Sequence, residues 1–172
     1  DFHCVPDMST LRRAAWLPKT AIVLCDLFTQ DHDIVEVAPR RMLQRQLERA
    51  KAMGFTVKGG SEIELYLFNE TFESAKAKNY HDLRPIGDYN EDYHILQGTK
   101  EDDLVGAIRR SLDGSGVPIE FSKGEAGLGQ QEINLQFCDA LGQCDRNILY
   151  KHAAKEIAWQ QKPHVGTDLL RG

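Results

Sequence analysis

The sequence predicts an α+β fold, a mostly antiparallel sheet with flanking helices, and two observations lead there. Along the chain the periodicities run strand, helix, strands, loop, helix, strands, helix, with no internal repeat and no regular β–α alternation. Two strand-like segments, residues 61–68 and 125–137, also alternate polar with apolar side chains. Successive side chains of a strand point to opposite faces, so each segment presents one apolar and one polar face.

The elements follow in order. Pro6, Met8-Ser9-Thr10 and Pro18 belong to a loop region. Residues 20–27, Thr-Ala-Ile-Val-Leu-Cys-Asp-Leu, read as a strand buried on both faces, and Asp31-His32-Asp33 as a turn. Pro39 opens a helix where its missing N–H costs nothing, and Gly54 closes it. Leu43, Leu47 and Ala50 recur there at helical spacing, with Arg40, Arg41, Arg45, Arg49 and Lys51 as the wet face. A strand over 55–58, a Gly59-Gly60 hinge and the strand 61–68 come next. Residues 69–98 are rich in Asn, Asp, Tyr and Gly, broken by Pro85 and Gly87, and read as a polar insertion of the functional or mobile kind. A helix over 100–112 carries the stripe Leu104, Val105, Ile108 and Leu112, and Asp113-Gly114-Ser115-Gly116 ends it. A strand over 117–122 leads through Lys123-Gly124 into the second alternating segment. The last helix runs from about residue 139 past 157, with Leu141, Cys144, Ile148 and Ala154 expected inward.

A chain of 172 residues fits one domain, or a small domain with a piece of another. The net charge of −5, without a basic stripe, argues against a nucleic-acid partner. No run is apolar enough to cross a membrane, and Asp1-Phe2-His3-Cys4 has no signal-peptide character, so the expected location is cytoplasmic. Cys4, Cys25, Cys138 and Cys144 lack CxxC spacing and sit among apolar residues, which predicts buried reduced thiols.

The chemistry lies in the alternating segments. Glu62, Glu64 and Tyr66 share one strand face, opposite Ile63, Leu65 and Leu67; Glu132, Asn134 and Gln136 share one opposite Ile133, Leu135 and Phe137. If both strands lie in one sheet the carboxylates converge, and clustered carboxylates are what Mg2+ or Mn2+ needs. The Cα atoms of Glu62 and Glu64 lie roughly 6.5–7 Å apart. That is wide for one ion and suits two, which phosphoryl-transfer sites hold roughly 3.5–4 Å apart. Gly127-Leu128-Gly129 between Glu125 and Glu132 permits positive φ, so a turn there can bring both carboxylates to one pocket. On spacing alone a solvated sheet face is the commoner outcome, although Tyr66 and Phe68 on the glutamate face weigh against it. His81 and His94 read as surface or packing groups, Lys123 as a solvated lysine, and a Walker-type phosphate loop is absent.

Gly60-Ser61-Glu62-Ile63-Glu64-Leu65-Tyr66-Leu67-Phe68 resembles the first metal-binding strand of the glutamine synthetase superfamily. Pro118-Ile119-Glu120-Phe121-Ser122-Lys123-Gly124-Glu125, continuing through Gly129-Gln130-Gln131-Glu132-Ile133-Asn134, resembles its second signature. Asp139-Ala140-Leu141, Asp145, Lys151 and Lys155-Glu156-Ile157-Ala158 are similar to the helix that follows, and Pro6-Asp7-Met8-Ser9-Thr10-Leu11-Arg12, Trp16, Cys25-Asp26 and Pro39-Arg40 to the end of an N-terminal β-grasp domain. The resemblance spans about residues 2–161. It implies a β-grasp remnant over 1–38, the first part of a glutamine synthetase-type catalytic domain over 39–161, and a tail of uncertain origin over 162–172.

By this resemblance Glu64, Glu125 and Glu132 hold one divalent ion, Glu62 contributes to a second, and Glu120 lies near the nucleotide. The implied cofactors are ATP and Mg2+ or Mn2+; the implied partners are glutamate and ammonia or a small amine, in a homo-oligomeric ring. The implied reaction phosphorylates the γ-carboxylate of glutamate and then displaces phosphate with the amine. The Glu-x-Ser-Lys-Gly-Glu signature resembles the γ-glutamyl-polyamine or -monoamine ligase branch. Ala126 and Leu128 depart from the aromatic or proline residues common in the family. Family members are far longer, and nothing around His164 matches their histidine ligand. The expectation is therefore negligible turnover by these residues alone, with a catalytically incomplete fragment or a non-catalytic homologue that keeps a metal site as the alternative.

Overall fold

A four-stranded antiparallel sheet forms the centre of the structure, a computed structural model that describes residues 1–161 and the backbone of Gly166–Asp168. In chain order the elements are β1 (His3–Pro6), β2 (Arg12–Arg13), β3 (Ala21–Ile22), β4 (Cys25–Phe28), α1 (Pro39–Ala52), β5 (Lys58–Phe68), α2 (Phe72–Ala77), α3 (Ile95–Asp113), β6 (Ile119–Gly124), β7 (Gln130–Asp139), α4 (Ala140–Gln160) and β8 (Gly166–Asp168). The central sheet has the order β6-β7-β5-β8, and β1-β4 and β2-β3 form two small antiparallel sheets. The α+β expectation with antiparallel pairing holds.

One face of the central sheet makes the core. Leu65, Leu67, Ile133 and Leu135 pack against Leu104, Ile108 and Leu112 of α3 and Leu149, Tyr150 and Ile157 of α4. Each large side chain removed from water there contributes about 1.5–3 kcal/mol. The α3 stripe is the one its periodicity predicts. The helix begins earlier than expected because the His94 side chain accepts the Gln97 N–H at 3.3 Å and caps it. Asp139 caps α4 by accepting the Gly142 N–H at 2.8 Å.

The inward face of α4 differs from the expectation. Leu149, Tyr150, Ala153, Ala154, Ile157 and Ala158 are buried, whereas Ile148 is 60% exposed and Cys144 is also exposed. Apolar residues occupy two sides of this helix, so its periodicity has no single phase. Leu141, Cys144 and Ile148 instead line a groove of about 600 Å³ with Leu24, Leu27 and Leu43.

Other expectations are corrected similarly. Residues 20–27 are not one buried strand, because the ladder breaks at Leu24. Its N–H donates to Thr10 Oγ1 at 2.9 Å and its carbonyl accepts the Asp7 N–H at 2.9 Å. The small sheets are thin, so Cys4 is exposed and Cys25 only half-buried; Cys138 is half-buried too, and all four thiols are free. Arg40 does not belong to a wet face. Its guanidinium reaches Asp7 at 2.7 Å, Asp26 at 2.8 Å and Asp145 at 3.1 Å, tying the N-terminal segment to α1 and α4.

Phe55 and Val57 are exposed loop residues, and Gly59-Gly60 lies inside β5, where the register with β7 shifts between Gly59 and Ser61. The strand expected at 117 begins at Ile119. The segment 69–98 contains α2, capped by the Thr71–Ser74 capping box, and the start of α3. Among the described residues no helix is long and apolar enough to cross a membrane.

Candidate metal centre

Sheet register builds the site. In the β5–β7 ladder Glu64 stands directly opposite Glu132 and Glu62 opposite Asn134; in the β6–β7 ladder Lys123 stands opposite Glu132. Glu125 follows β6 and enters the connection to β7. There the Glu125 N–H donates to the Gln130 carbonyl at 2.8 Å, the Gln130 N–H donates to the Gly127 carbonyl at 3.0 Å, and Gly129 has φ +69°. A Cβ on Gly127 would lie 2.4 Å from Gln130 Oε1 and 2.8 Å from Tyr66 Oη, so a larger residue there would displace both side chains. The expected glycine turn is present. The segment read as 125–137 is thus a turn followed by β7, not one strand.

Through this turn and the β5–β7 register, one carboxylate oxygen from each of Glu64, Glu125 and Glu132 comes within 4.8 Å of the others. Glu64 is exposed, Glu125 half-buried and Glu132 buried. Neighbours orient them. Gln130 donates to Glu64 Oε2 at 2.6 Å and accepts from the Tyr66 hydroxyl at 3.0 Å. Asn134 donates to Glu132 Oε1 at 2.7 Å, and its buried Oδ1 has no hydrogen-bond partner among the described residues.

The electrostatics follow from crowding. Contact with Glu125, then burial, raises Glu132 above the usual carboxylate range. Contact with Glu132, then with Lys123, lowers Glu125. The two carboxyls shift in opposite directions because they share one contact, and burial favours the neutral form at Glu132.

The Lys123 ammonium pairs with Glu125, lies 3.1 Å from Asp92 and 3.6 Å from Glu132, and sits 4.4 Å from the Tyr93 ring centroid. Burial acts to lower it, but the bonds to Glu125 and Asp92 outweigh that and hold it above the usual lysine range. With only 15% of its side chain exposed, it is not the solvated lysine its sequence context suggests.

These residues fit a hard divalent cation. The donors are carboxylate oxygens, they already gather an ammonium group, and Asn134 Oδ1 is an unpartnered oxygen beside Glu132. Glu62 and Glu120 are both exposed and lie outside the three-carboxylate cluster; Glu120 sits where the β6 register shifts between Ile119 and Phe121. His164 lies outside the described residues. Sequence reasoning placed Asn134 on the Glu132 face without giving it a role and missed Gln130, although the same alternation puts it there. It also missed Asp92, which arrives from the insertion and carries no periodic signal.

Residues 36–166 match the family described as glutamine synthetase, catalytic domain. The chain is 41% identical over 161 residues to a gamma-glutamylethanolamide synthetase of Streptomyces coelicolor, an alignment covering 94% of this chain and 35% of that protein. It is 33% identical over 158 residues to a glutamate–isopropylamine ligase of a Pseudomonas species, covering 92% and 34%. Among solved structures, an ADP complex of GmaS superposes with a TM-score of 0.81 at 22% identity, over 96% of this chain and 37% of the other. The chain spans about a third of the length of the curated relatives it matches.

Proposed function

The chain belongs to the glutamine synthetase catalytic-domain family, and from that premise we propose that it supplies part of an ATP-dependent ligase joining the γ-carboxylate of glutamate to ammonia or a small amine. The observation that carries this reading is the convergence of Glu64, Glu125 and Glu132. A divalent cation there would neutralise charge on the transferring phosphoryl group. Glu64, Glu125 and Glu132 would hold the cation, with Gln130 and Tyr66 orienting Glu64 and Asn134 orienting Glu132. Glu62 would contribute to a second ion and Glu120 would serve the nucleotide.

In the reaction a γ-carboxylate oxygen of glutamate attacks the terminal phosphorus of ATP and ADP leaves. The amine nitrogen then attacks the acyl carbon, phosphate leaves, and the amine gives up a proton. Two relatives named for an ethanolamide and for isopropylamine support an amine larger than ammonia. Residues 39–161 form the first part of the catalytic domain and residues 1–38 the remnant of a β-grasp domain, a division supported by the separate small sheets β1-β4 and β2-β3. The setting is a cytoplasmic homo-oligomeric ring.

The test incubates the intact protein with glutamate, ATP, Mg2+ and a panel of ammonia, ethanolamine, alkylamines and polyamines. It follows phosphate release together with the γ-glutamyl amide by mass spectrometry. Glutamate- and amine-dependent formation of both products is expected; phosphate release indifferent to glutamate would sink the reading. The exposed positions of Glu62 and Glu120, outside the three-carboxylate cluster, favour one second reading, a homologue that keeps the metal site without turnover. Metal binding with no product from any amine selects it.

A further inference from the structure

Glu91 lies in the polar stretch between β5 and α3, yet it is 0% exposed. Its Oε1 accepts the Gly129 N–H at 3.2 Å and its Oε2 accepts from Gln131 Nε2 at 3.1 Å. Its backbone carbonyl accepts the His94 N–H at 2.8 Å and lies where a Cβ on Gly124 would come within 2.4 Å. Gly87 leaves room for the carboxyl, since a Cβ there would lie 1.5 Å from Oε1. Glu91 therefore touches both arms of one hairpin: Gly124 immediately precedes Glu125, while Gly129 and Gln131 lead into Glu132. The next residue, Asp92, bonds Lys123.

We propose that Glu91 is a positioning residue whose buried side chain fixes the 124–132 hairpin and so holds Glu125 and Glu132 together for the cation. The inference rests on the metal reading of that site. A buried carboxyl is costly, and an apolar residue would fill the same space more cheaply if packing were all that was needed. What an apolar residue cannot do is accept the Gly129 N–H. At φ +69° that N–H turns inward, and without Glu91 it and the Gln131 amide lose an acceptor. The hairpin would then relax, and the two ligands it carries would lose their separation. Glu91 touches none of the three carboxylates, so its effect on a bound ion passes through the backbone.

The test measures Mn2+ affinity by electron paramagnetic resonance on the intact protein for wild type, Glu91→Ala, Glu91→Gln and the core variant Ile108→Val. In parallel, amide hydrogen exchange at Gly129 is followed without metal. Glu91→Ala should weaken Mn2+ on the order of tenfold or more, the size expected when a residue behind a ligand is lost, and should deprotect the Gly129 amide. Glu91→Gln keeps an oxygen for Gly129 and should recover most of the affinity, whereas Ile108→Val should lower Tm and leave Mn2+ affinity unchanged.

Should Glu91→Ala fail to fold, Glu91→Asp carries the same test, because it keeps the carboxyl and loses the reach. Folded Glu91→Ala or Glu91→Asp protein with wild-type Mn2+ affinity and wild-type Gly129 protection would overturn the proposal. Wild-type protein that takes up no Mn2+ would instead overturn the metal reading, and Gly129 protection then decides the anchoring alone.

Discussion

Glu64 and Glu132 are direct cross-strand partners in the β5–β7 ladder. Like charges facing one another across a ladder are destabilising, so the pairing needs compensation. Part of it is visible. Gln130 and Asn134 each donate to one of the two carboxylates, and Lys123 lends positive charge. The same arrangement gives a divalent cation three oxygens at once, which couples the strand register to the proposed chemistry.

Lys123 competes for that position. Its ammonium neutralises Glu125 and Asp92 and sits 3.6 Å from Glu132. Lys123→Met keeps the stem and removes the charge, so the metal-free protein should lose Tm while Mn2+ binds at least several-fold more tightly, since like unit charges about 4 Å apart repel by about 1 kcal/mol even in bulk water. Scanning calorimetry of the metal-free protein reads the first effect and calorimetric titration with Mn2+ the second. Weaker Mn2+ binding in this variant would show that Lys123 supports the ion instead of opposing it.

Glu101 makes stability depend on pH. Burial, against hydrogen bonds from Gln97 and Gln131 and reinforced by neighbouring Glu91, pushes it up to about 7. A carboxyl raised in the folded state favours folding fully below its ordinary value of 4.5, and the gain is lost as pH rises through about 7. Unfolding free energy should therefore fall between pH 5 and pH 8 by up to about 3 kcal/mol, and Glu101→Gln should flatten that slope. Urea unfolding at several pH values checks it; an equal slope in both proteins contradicts it.

Arg40 joins the N-terminal segment to the helices. Replacing it with methionine strands Asp7, Asp26 and Asp145, of which Asp145 is buried. The expected loss is about 2–4 kcal/mol, measured by urea unfolding, because the unpaired carboxylates remain partly desolvated. A loss below about 0.5 kcal/mol would place Arg40 among ordinary surface ion pairs.

The core and the carboxylate hairpin were legible in the sequence because each rests on periodicity. Leu104, Val105, Ile108 and Leu112 recur at helical spacing, and the Glu62/Glu64 and Glu132/Asn134 alternations are strand spacing. The glycines of residues 127–129 announced their turn. What stayed hidden depends on partners distant in the chain. The role of Arg40 is set by three aspartates, as many as 105 positions away, and nothing local marks it. Glu91 and Asp92 sit in an aperiodic stretch, and only the folded chain brings them to Gly129 and Lys123. Residues 20–27 look like one strand because apolar content does not report the Thr10 and Asp7 bonds that interrupt the ladder at Leu24.

The central claim is that Glu64 and Glu132, brought together by the β5–β7 register, bind one cation with Glu125. Manganese titration followed by electron paramagnetic resonance, on wild type, Glu64→Ala and Glu132→Ala, tests it most directly. The account predicts saturable binding in wild type and a loss of at least about tenfold in affinity in each folded variant. Unchanged Mn2+ binding in both variants would contradict it.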